Sequence, residues 1–276
     1  MKTLVFSATY NEAGNVQGLL RGIVAAVPEA DILIVDDNSQ DGTAQALRAL
    51  QLPQLTLIER PGKMGLGTAH LLAFCHALHH GYDTLVTLDA DGSHEPASIP
   101  ALIGQIRAGH DFVIGSRFCP GGSLSYTGYR RFLSRNANLL ARRLLRIPLT
   151  EFTTSFRAYR VSRMRAFSLG ELYLDGYSYA MATVVACAQH RFRMTEVPIR
   201  FLDRGYGSSK IPSFEIFRGV HNLLRLALIR AVRPLPQAED QPLNACPHCH
   251  TAYSWIAFNA RARQPRGACV ACGASA

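Results

Sequence analysis

Over its first 116 residues the chain alternates two hydrophobic periods. Short apolar runs rich in β-branched residues, at 3–8, 32–35, 55–58, 85–88 and 112–114, predict five strands. The spacers between them carry helical periodicity. In the first spacer Val16, Leu19, Leu20, Ile23, Val24 and Val27 recur at the spacing of a helix that docks one face on a sheet. Strands separated by helices predict an α/β protein with a mostly parallel sheet. In such open sheets ligands bind beyond the carboxyl ends of the strands, so the residues after each run carry the chemistry.

Those residues are acidic. The first run is followed by Thr9-Tyr10-Asn11-Glu12, the second by Asp36-Asp37-Asn38-Ser39-Gln40-Asp41-Gly42-Thr43, and the fourth by Asp89-Ala90-Asp91. Each loop alone has a plain reading: Asp41-Gly42 makes a turn, and Ser39 or Asp41 caps the next helix. Together they converge carboxylates on one sheet edge. Like charges a few ångströms apart raise each other's pKa, so the Asp89/Asp91 pair predicts a divalent cation between them.

Composition adds a second domain-scale feature. The chain has 276 residues, 48% hydrophobic and 18% charged, enough for one large α/β domain and a small appendage. The formal charge of +9 is uneven: residues 1–116 carry 6 Lys/Arg against 12 Asp/Glu, and residues 117–235 carry 20 against 6. An acidic, cation-binding half therefore adjoins a basic half suited to an anionic partner. No run of 18 apolar residues occurs, and the opening MKTLVFSA reads as a strand rather than a secretory leader. Basic and apolar residues alternate at helical spacing over 130–146 and 214–232, the pattern of helices that lie in a membrane interface or pack on the sheet.

The segments ATYNE, IVDDNSQDGT, RPGKMGLGTA, LDADGSHEP, IGSRFCPGGS, TTSFRAYR and EVPIRFLDRGYGSSK stand in this order along residues 3–232. In sequence and spacing they resemble glycosyltransferase family 2, of the GT-A nucleotide-sugar fold, and within it the polyprenol-phosphate (dolichol-phosphate) mannosyltransferases. The resemblance implies transfer of mannose, with inversion, from GDP-mannose to a polyprenyl monophosphate. It implies Mg2+ or Mn2+ held by Asp89 and Asp91, with Ser93 at a polar metal-contacting position. Ala8, Tyr10, Glu12, Val35, Asp37 and Ala90 fall on donor-binding positions. Among the basic residues, Arg117 and Arg131 are assigned to the acceptor phosphate, and Arg204 and Lys210 to the donor diphosphate, where guanidinium forks and an ammonium suit phosphate oxygens. The glycine-rich loop 60–68 is no Walker A, and a helix entry and a ligand contact both fit it.

Three positions depart from the family pattern. Ala8 stands for a Pro, Thr154-Ser155-Phe156-Arg157 lacks a Gly, and Ala182 lies where a Glu is frequent. Relatives append membrane-spanning helices after the basic region. Here a polar linker at 234–245 leads instead to Cys246-Pro247-His248-Cys249 and Cys269-Val270-Ala271-Cys272. Two CxxC pairs at that separation predict a structural, four-thiolate zinc ribbon over 246–276, a docking element for a protein partner or a simple staple. The expected architecture is thus a GT-A domain at 1–233, a linker and a ribbon, working in the cytoplasm against the cytoplasmic face of a membrane. A soluble saccharide acceptor, another donor such as UDP-glucose, and a nucleic-acid-binding ribbon are the alternatives; no nucleic acid is expected.

Overall fold

The computed structural model describes residues 1–164, 178–203 and 221–228. The predicted ribbon with Cys246, Cys249, Cys269 and Cys272, and the predicted phosphate contacts Arg204 and Lys210, lie outside the described residues.

All five expected strands form: β1 (Thr3–Thr9), β2 (Asp31–Asp36), β3 (Leu55–Glu59), β4 (Thr84–Thr87) and β5 (Phe112–Ser116). Helices α1 (Ala13–Ala26), α2 (Thr43–Ala49), α3 (Leu66–His79) and α4 (Ile99–Arg107) separate them. Further along come a short β6 (Ser123–Leu124), α5 (Gly128–Leu145), β7 (Arg157–Arg160), α6 (Val161–Met164), α7 (Ser178–Gln189), β8 (Met194–Pro198) and β9 (Arg200–Phe201). The sheet runs β3-β2-β1-β4-β7-β5-β8. β7 alone runs against its neighbours, pairing antiparallel with both β4 and β5.

Successive residues of the central strands enter opposite cores, as the pleat requires. Leu4 and Phe6 of β1 join Leu85, Phe112, Tyr159 and the apolar faces of α3 and α7. Val5 joins Val86, Val113, Ala158 and the stripe Val16, Leu19, Leu20, Ile23 of α1, closed by Leu102 and Ile106 of α4. Every one of these side chains is 6% exposed or less, so both faces are covered and the strands read as continuous apolar runs.

The reversed strand decides where chemistry can gather. Because β7 is antiparallel, its amino end lies at the carboxyl ends of β4 and β5, with Arg157 in register with both Thr87 and Ile114. The loop 150–156 is thereby delivered beside Asp89. The small β6–β9 pair reaches the same edge, where the Leu202 N–H donates to the Ser93 carbonyl at 3.0 Å.

Candidate active site

Asp89 and Asp91 follow β4 directly, and Ala90 between them is buried in the α1/α4 core. The Asp91 carboxylate accepts from the Ser93 N–H (3.1 Å) and hydroxyl (2.6 Å), so Ser93 orients Asp91. The Asp89 side chain is 37% exposed, the more accessible of the two. Its backbone N–H donates to Nδ1 of the buried His94 at 3.1 Å, and His94 Nε2 lies 2.9 Å from the Thr154 hydroxyl. With Nδ1 accepting, the ring proton belongs on Nε2, and His94 is neutral. Burial holds its pKa below the ordinary value in spite of Asp89 and Asp91 nearby. His94 is thus a brace between the acidic loop and the loop before β7.

That second loop is held by a buried ion pair. Glu151, wholly buried, takes a two-pronged contact from Arg117: Nε to Oε2 at 2.7 Å and Nη2 to Oε1 at 2.8 Å. Glu151 Oε1 also accepts from the amides of Phe152, Thr153 and Thr154. Although burial raises its pKa, Arg117 and these donors bring it below the usual carboxylate value. Arg117 further donates to the Tyr126 hydroxyl (3.1 Å) and the Thr153 hydroxyl (2.8 Å) and faces the Phe201 ring. Glu151 thus fills the fork of Arg117, the residue expected from its motif to meet an acceptor phosphate. Gly122 packs on the same backbone: a Cβ there would lie 2.5 Å from the Ser116 carbonyl.

At the β2 end, Asp36 is buried and accepts from Thr9 Oγ1 (2.7 Å), Ser39 Oγ (2.6 Å) and Ser39 N (2.8 Å). Asp37 pairs with the buried Arg60 and accepts from the amides of Met64 (3.1 Å) and Gly65 (3.3 Å). Arg60 in turn donates to Thr68 Oγ1 (2.6 Å) and the Gly65 carbonyl (3.1 Å). The glycine-rich loop is therefore a helix entry clamped to Asp37. α3 starts at Leu66, directly after Gly65.

The expected donor-binding residues spread along this edge. Tyr10 is half-buried with Lys63 Nζ 4.4 Å from its ring centre, and Glu12 accepts from Asn15 at 2.7 Å. Val35 and Ala8 belong to the α3 side of the core, which leaves their backbone as the accessible part. Arg131 is exposed on α5. Between the acidic loop and the α3/α7 side opens a pocket bounded by Asp89, Thr153, Ser155 and Arg157.

A sequence profile described as "Glycosyl transferase family 2" matches residues 4–166, more than half the chain. The chain belongs to glycosyltransferase family 2. It is 38% identical over 231 residues to an undecaprenyl-phosphate mannosyltransferase of Micrococcus luteus, covering 83% of this chain and 95% of that protein. It is 36% identical over 219 residues to a polyprenol monophosphomannose synthase of Mycolicibacterium smegmatis, covering 78% and 83%. In fold, this glycosyltransferase is similar to glucosyl-3-phosphoglycerate synthase from Mycobacterium tuberculosis, solved with Mn2+, UDP and glucosyl-3-phosphoglycerate. That likeness has a TM-score of 0.60 at 17% identity and covers 83% of this chain and 79% of the other. The sheet, its single reversed strand and the acidic edge together are the GT-A fold of a glycosyltransferase.

Sequence reasoning gave no role in the site to His94, Thr154, Glu151, Arg60 or Arg157 of this family 2 enzyme. His94 and Arg157 stand inside segments that carry the family resemblance, so position within a motif was the available signal. Glu151 lies just before TTSFR, and nothing local marks it.

Proposed function

We propose that this glycosyltransferase moves mannose from GDP-mannose, with inversion, onto the phosphate of a polyprenyl monophosphate at the cytoplasmic face of a membrane. The observation that carries the reading is the 38% identity to the M. luteus undecaprenyl-phosphate mannosyltransferase across 95% of that protein. The site chemistry supports it. A phosphate monoester is already an oxyanion at neutral pH, so attack on the sugar needs no dedicated general base.

A divalent ion suits the donor set at the end of β4. Asp89 is accessible, Asp91 is held by Ser93, and among the described residues no group of three or more His, Cys, Asp or Glu side chains is placed to hold a metal ion by itself. Two carboxylates plus substrate phosphates are the usual environment of Mg2+, and the M. tuberculosis synthase was solved with Mn2+. When bound, the ion offsets the charge of the departing diphosphate. His94 keeps the backbone of Asp89 in place, and the Arg117–Glu151 pair keeps Thr154 under His94. Arg117 thus acts as a positioning residue, and the acceptor phosphate falls to the exposed Arg131. Arg204 and Lys210 are assigned to the donor diphosphate, and Tyr10, Glu12 and the β2 loop to the nucleoside.

Membrane contact is assigned to α5. Its Asn138, Ala141 and Leu145 are buried, while Tyr129, Phe132, Leu139, Leu140 and Leu144 are exposed beside the exposed Arg131, Arg135, Arg142 and Arg143. Helix 221–228 adds Leu224 and Leu228, both more than half exposed. An apolar strip flanked by arginines is suited to anionic lipid, each cation contributing about 1 kcal/mol near the surface. Among the described residues no helix is long and apolar enough to cross a membrane. Cys246, Cys249, Cys269 and Cys272 are assigned to one structural Zn2+, a reading supported by their spacing alone, with a protein partner as the ribbon's natural ligand.

The test is a panel of radiolabelled GDP-mannose, GDP-glucose, UDP-glucose and UDP-galactose offered with Mn2+ and a short polyprenyl phosphate. Extraction of labelled lipid from GDP-mannose alone is the expected result. Label in lipid from a UDP-sugar, or only in a water-soluble saccharide, overturns the reading.

A further inference from the structure

Glu196, half-buried at the centre of β8, is met by three donors from one short stretch of chain. The N–H groups of Thr150 (2.8 Å) and Glu151 (2.9 Å) both donate to its Oε1, and the Thr150 hydroxyl donates to the carboxylate, 2.9 Å from each oxygen. With its proton on Glu196, the Thr150 hydroxyl is an acceptor for Ser116 Oγ, 2.8 Å away. Ser116 is fully buried and in turn accepts from the amides of Phe118 (3.2 Å) and Cys119 (3.0 Å). Hydrogen bonds therefore run one way, from the amides of Phe118 and Cys119 through Ser116 and Thr150 to Glu196.

The sheet itself does not use these contacts. β8 is joined to β5 by a backbone ladder, Phe112–Ser116 beside Met194–Pro198, that needs no carboxylate at 196. What Glu196 ties down is the pair of loops that frame the acidic edge: 116–119, with Arg117, and 150–154, with Glu151 and Thr154. Three residues after Glu151, the Thr154 hydroxyl meets His94 Nε2 at 2.9 Å, and His94 Nδ1 takes the Asp89 N–H at 3.1 Å. The contacts are thus continuous from β8 to the backbone of Asp89. We infer that Glu196 is a positioning residue for the transfer reaction: it fixes loop 150–154 against β8 and, through Thr154 and His94, sets how firmly the Asp89/Asp91 loop holds a divalent ion. This deepens the proposed function and rests on its placement of the ion at that loop.

The experiment reads two quantities on the full chain. Hydrogen exchange followed by mass spectrometry, without metal, reports on segments 116–122 and 150–156. The Kd for Mn2+ comes from the paramagnetic resonance of free Mn2+ with saturating GDP or UDP, whichever the wild type binds more tightly. Glu196→Ala should speed exchange in both segments and raise the Mn2+ Kd about tenfold, the size of one net hydrogen bond. Glu196→Gln keeps an oxygen for both main-chain donors and should stay within about threefold of wild type, a rescue that a role through charge alone would not give. Thr150→Val keeps the main-chain contacts and cuts the link to Ser116, so exchange should quicken in 116–122 with the Mn2+ Kd again within about threefold. In a Thr154→Val background, where the hydroxyl beside His94 is gone, Glu196→Ala should add less than about twofold. The inference is overturned if Glu196→Ala lowers Tm but leaves the Mn2+ Kd of the folded protein unchanged, if Gln harms as much as Ala, or if the Glu196 and Thr154 effects multiply in full. A wild type that binds no Mn2+ overturns the metal reading on which the inference rests, and is told apart from failure of the anchor by the exchange data, which involve no metal.

Discussion

Replacing Arg117 by Met should damage the fold before it damages acceptor binding. Arg117 and Glu151 are 9% and 0% exposed, joined by two hydrogen bonds of 2.7 and 2.8 Å. Removing one partner of a buried pair leaves the other charge uncompensated, at a cost of about 3–5 kcal/mol. For a domain of this size that lowers Tm by about 6–20 °C. The pH dependence carries a second signature. In the wild type Glu151 titrates below its ordinary value of 4.5, so its contribution is present above that pH and lost as pH falls through the lower folded value. Without Arg117, burial acts with far less opposition and moves the Glu151 pKa up. The deficit of Arg117→Met relative to wild type should therefore shrink as pH falls from 7 to 5. Glu151→Gln in the same chain should restore much of the lost stability, because an uncharged amide is no longer stranded. Thermal melts at several pH values decide the matter. A variant that melts within about 2 °C of wild type while its KM for polyprenyl phosphate rises would refute the positioning role and return Arg117 to the acceptor site.

Acid should destabilise the enzyme through its buried histidines. His70 moves from 6.5 to about 3 on folding, so stability falls with pH below 6.5, by about 2 kcal/mol between pH 7 and 5 for this group; urea titrations of His70→Leu should show that much less pH dependence, and an identical slope would contradict it. Phe132→Ser and Leu140→Ser, on exposed positions of α5, should leave Tm unchanged and reduce sedimentation with phosphatidylglycerol vesicles about tenfold each; undiminished sedimentation would remove α5 from the membrane contact.

Much of the scaffold was legible because its signals are local. Five strands and the helices between them announce themselves through period, and the acids after β1, β2 and β4 follow from the rule that ligands sit at strand carboxyl ends. β7 escaped because Arg157-Ala158-Tyr159-Arg160 is four residues long with a cation at each end, and Arg157 is buried where its type would suggest the surface. Arg157 satisfies carbonyls, and Arg160 reaches Asp111 and the Ile106 carbonyl. Pairings across the chain were equally invisible. His94 meets Thr154 sixty positions on, Arg117 meets Glu151 thirty-four positions on, and Arg60 reaches back twenty-three to Asp37. Arg117 therefore read as a phosphate ligand from its charge and motif, whereas a distant, unmarked Glu151 occupies its fork. The loop 60–68 read two ways until Asp37 and Thr68 showed it clamped as a helix entry.

The central claim is that Asp89 and Asp91, at the end of β4, serve mannosyl transfer to a lipid phosphate. Its most direct test is single-turnover transfer from GDP-[14C]mannose to a short polyprenyl phosphate with Mn2+, comparing wild type with Asp89→Asn and Asp91→Asn. The account predicts one labelled, β-linked mannosyl phospholipid from the wild type. Both variants should be slower by a factor on the order of 100 or more, with unaltered Tm, because these side chains serve the metal and the departing diphosphate and not the core. Wild-type rates in either variant, or an α-linked product, would contradict it.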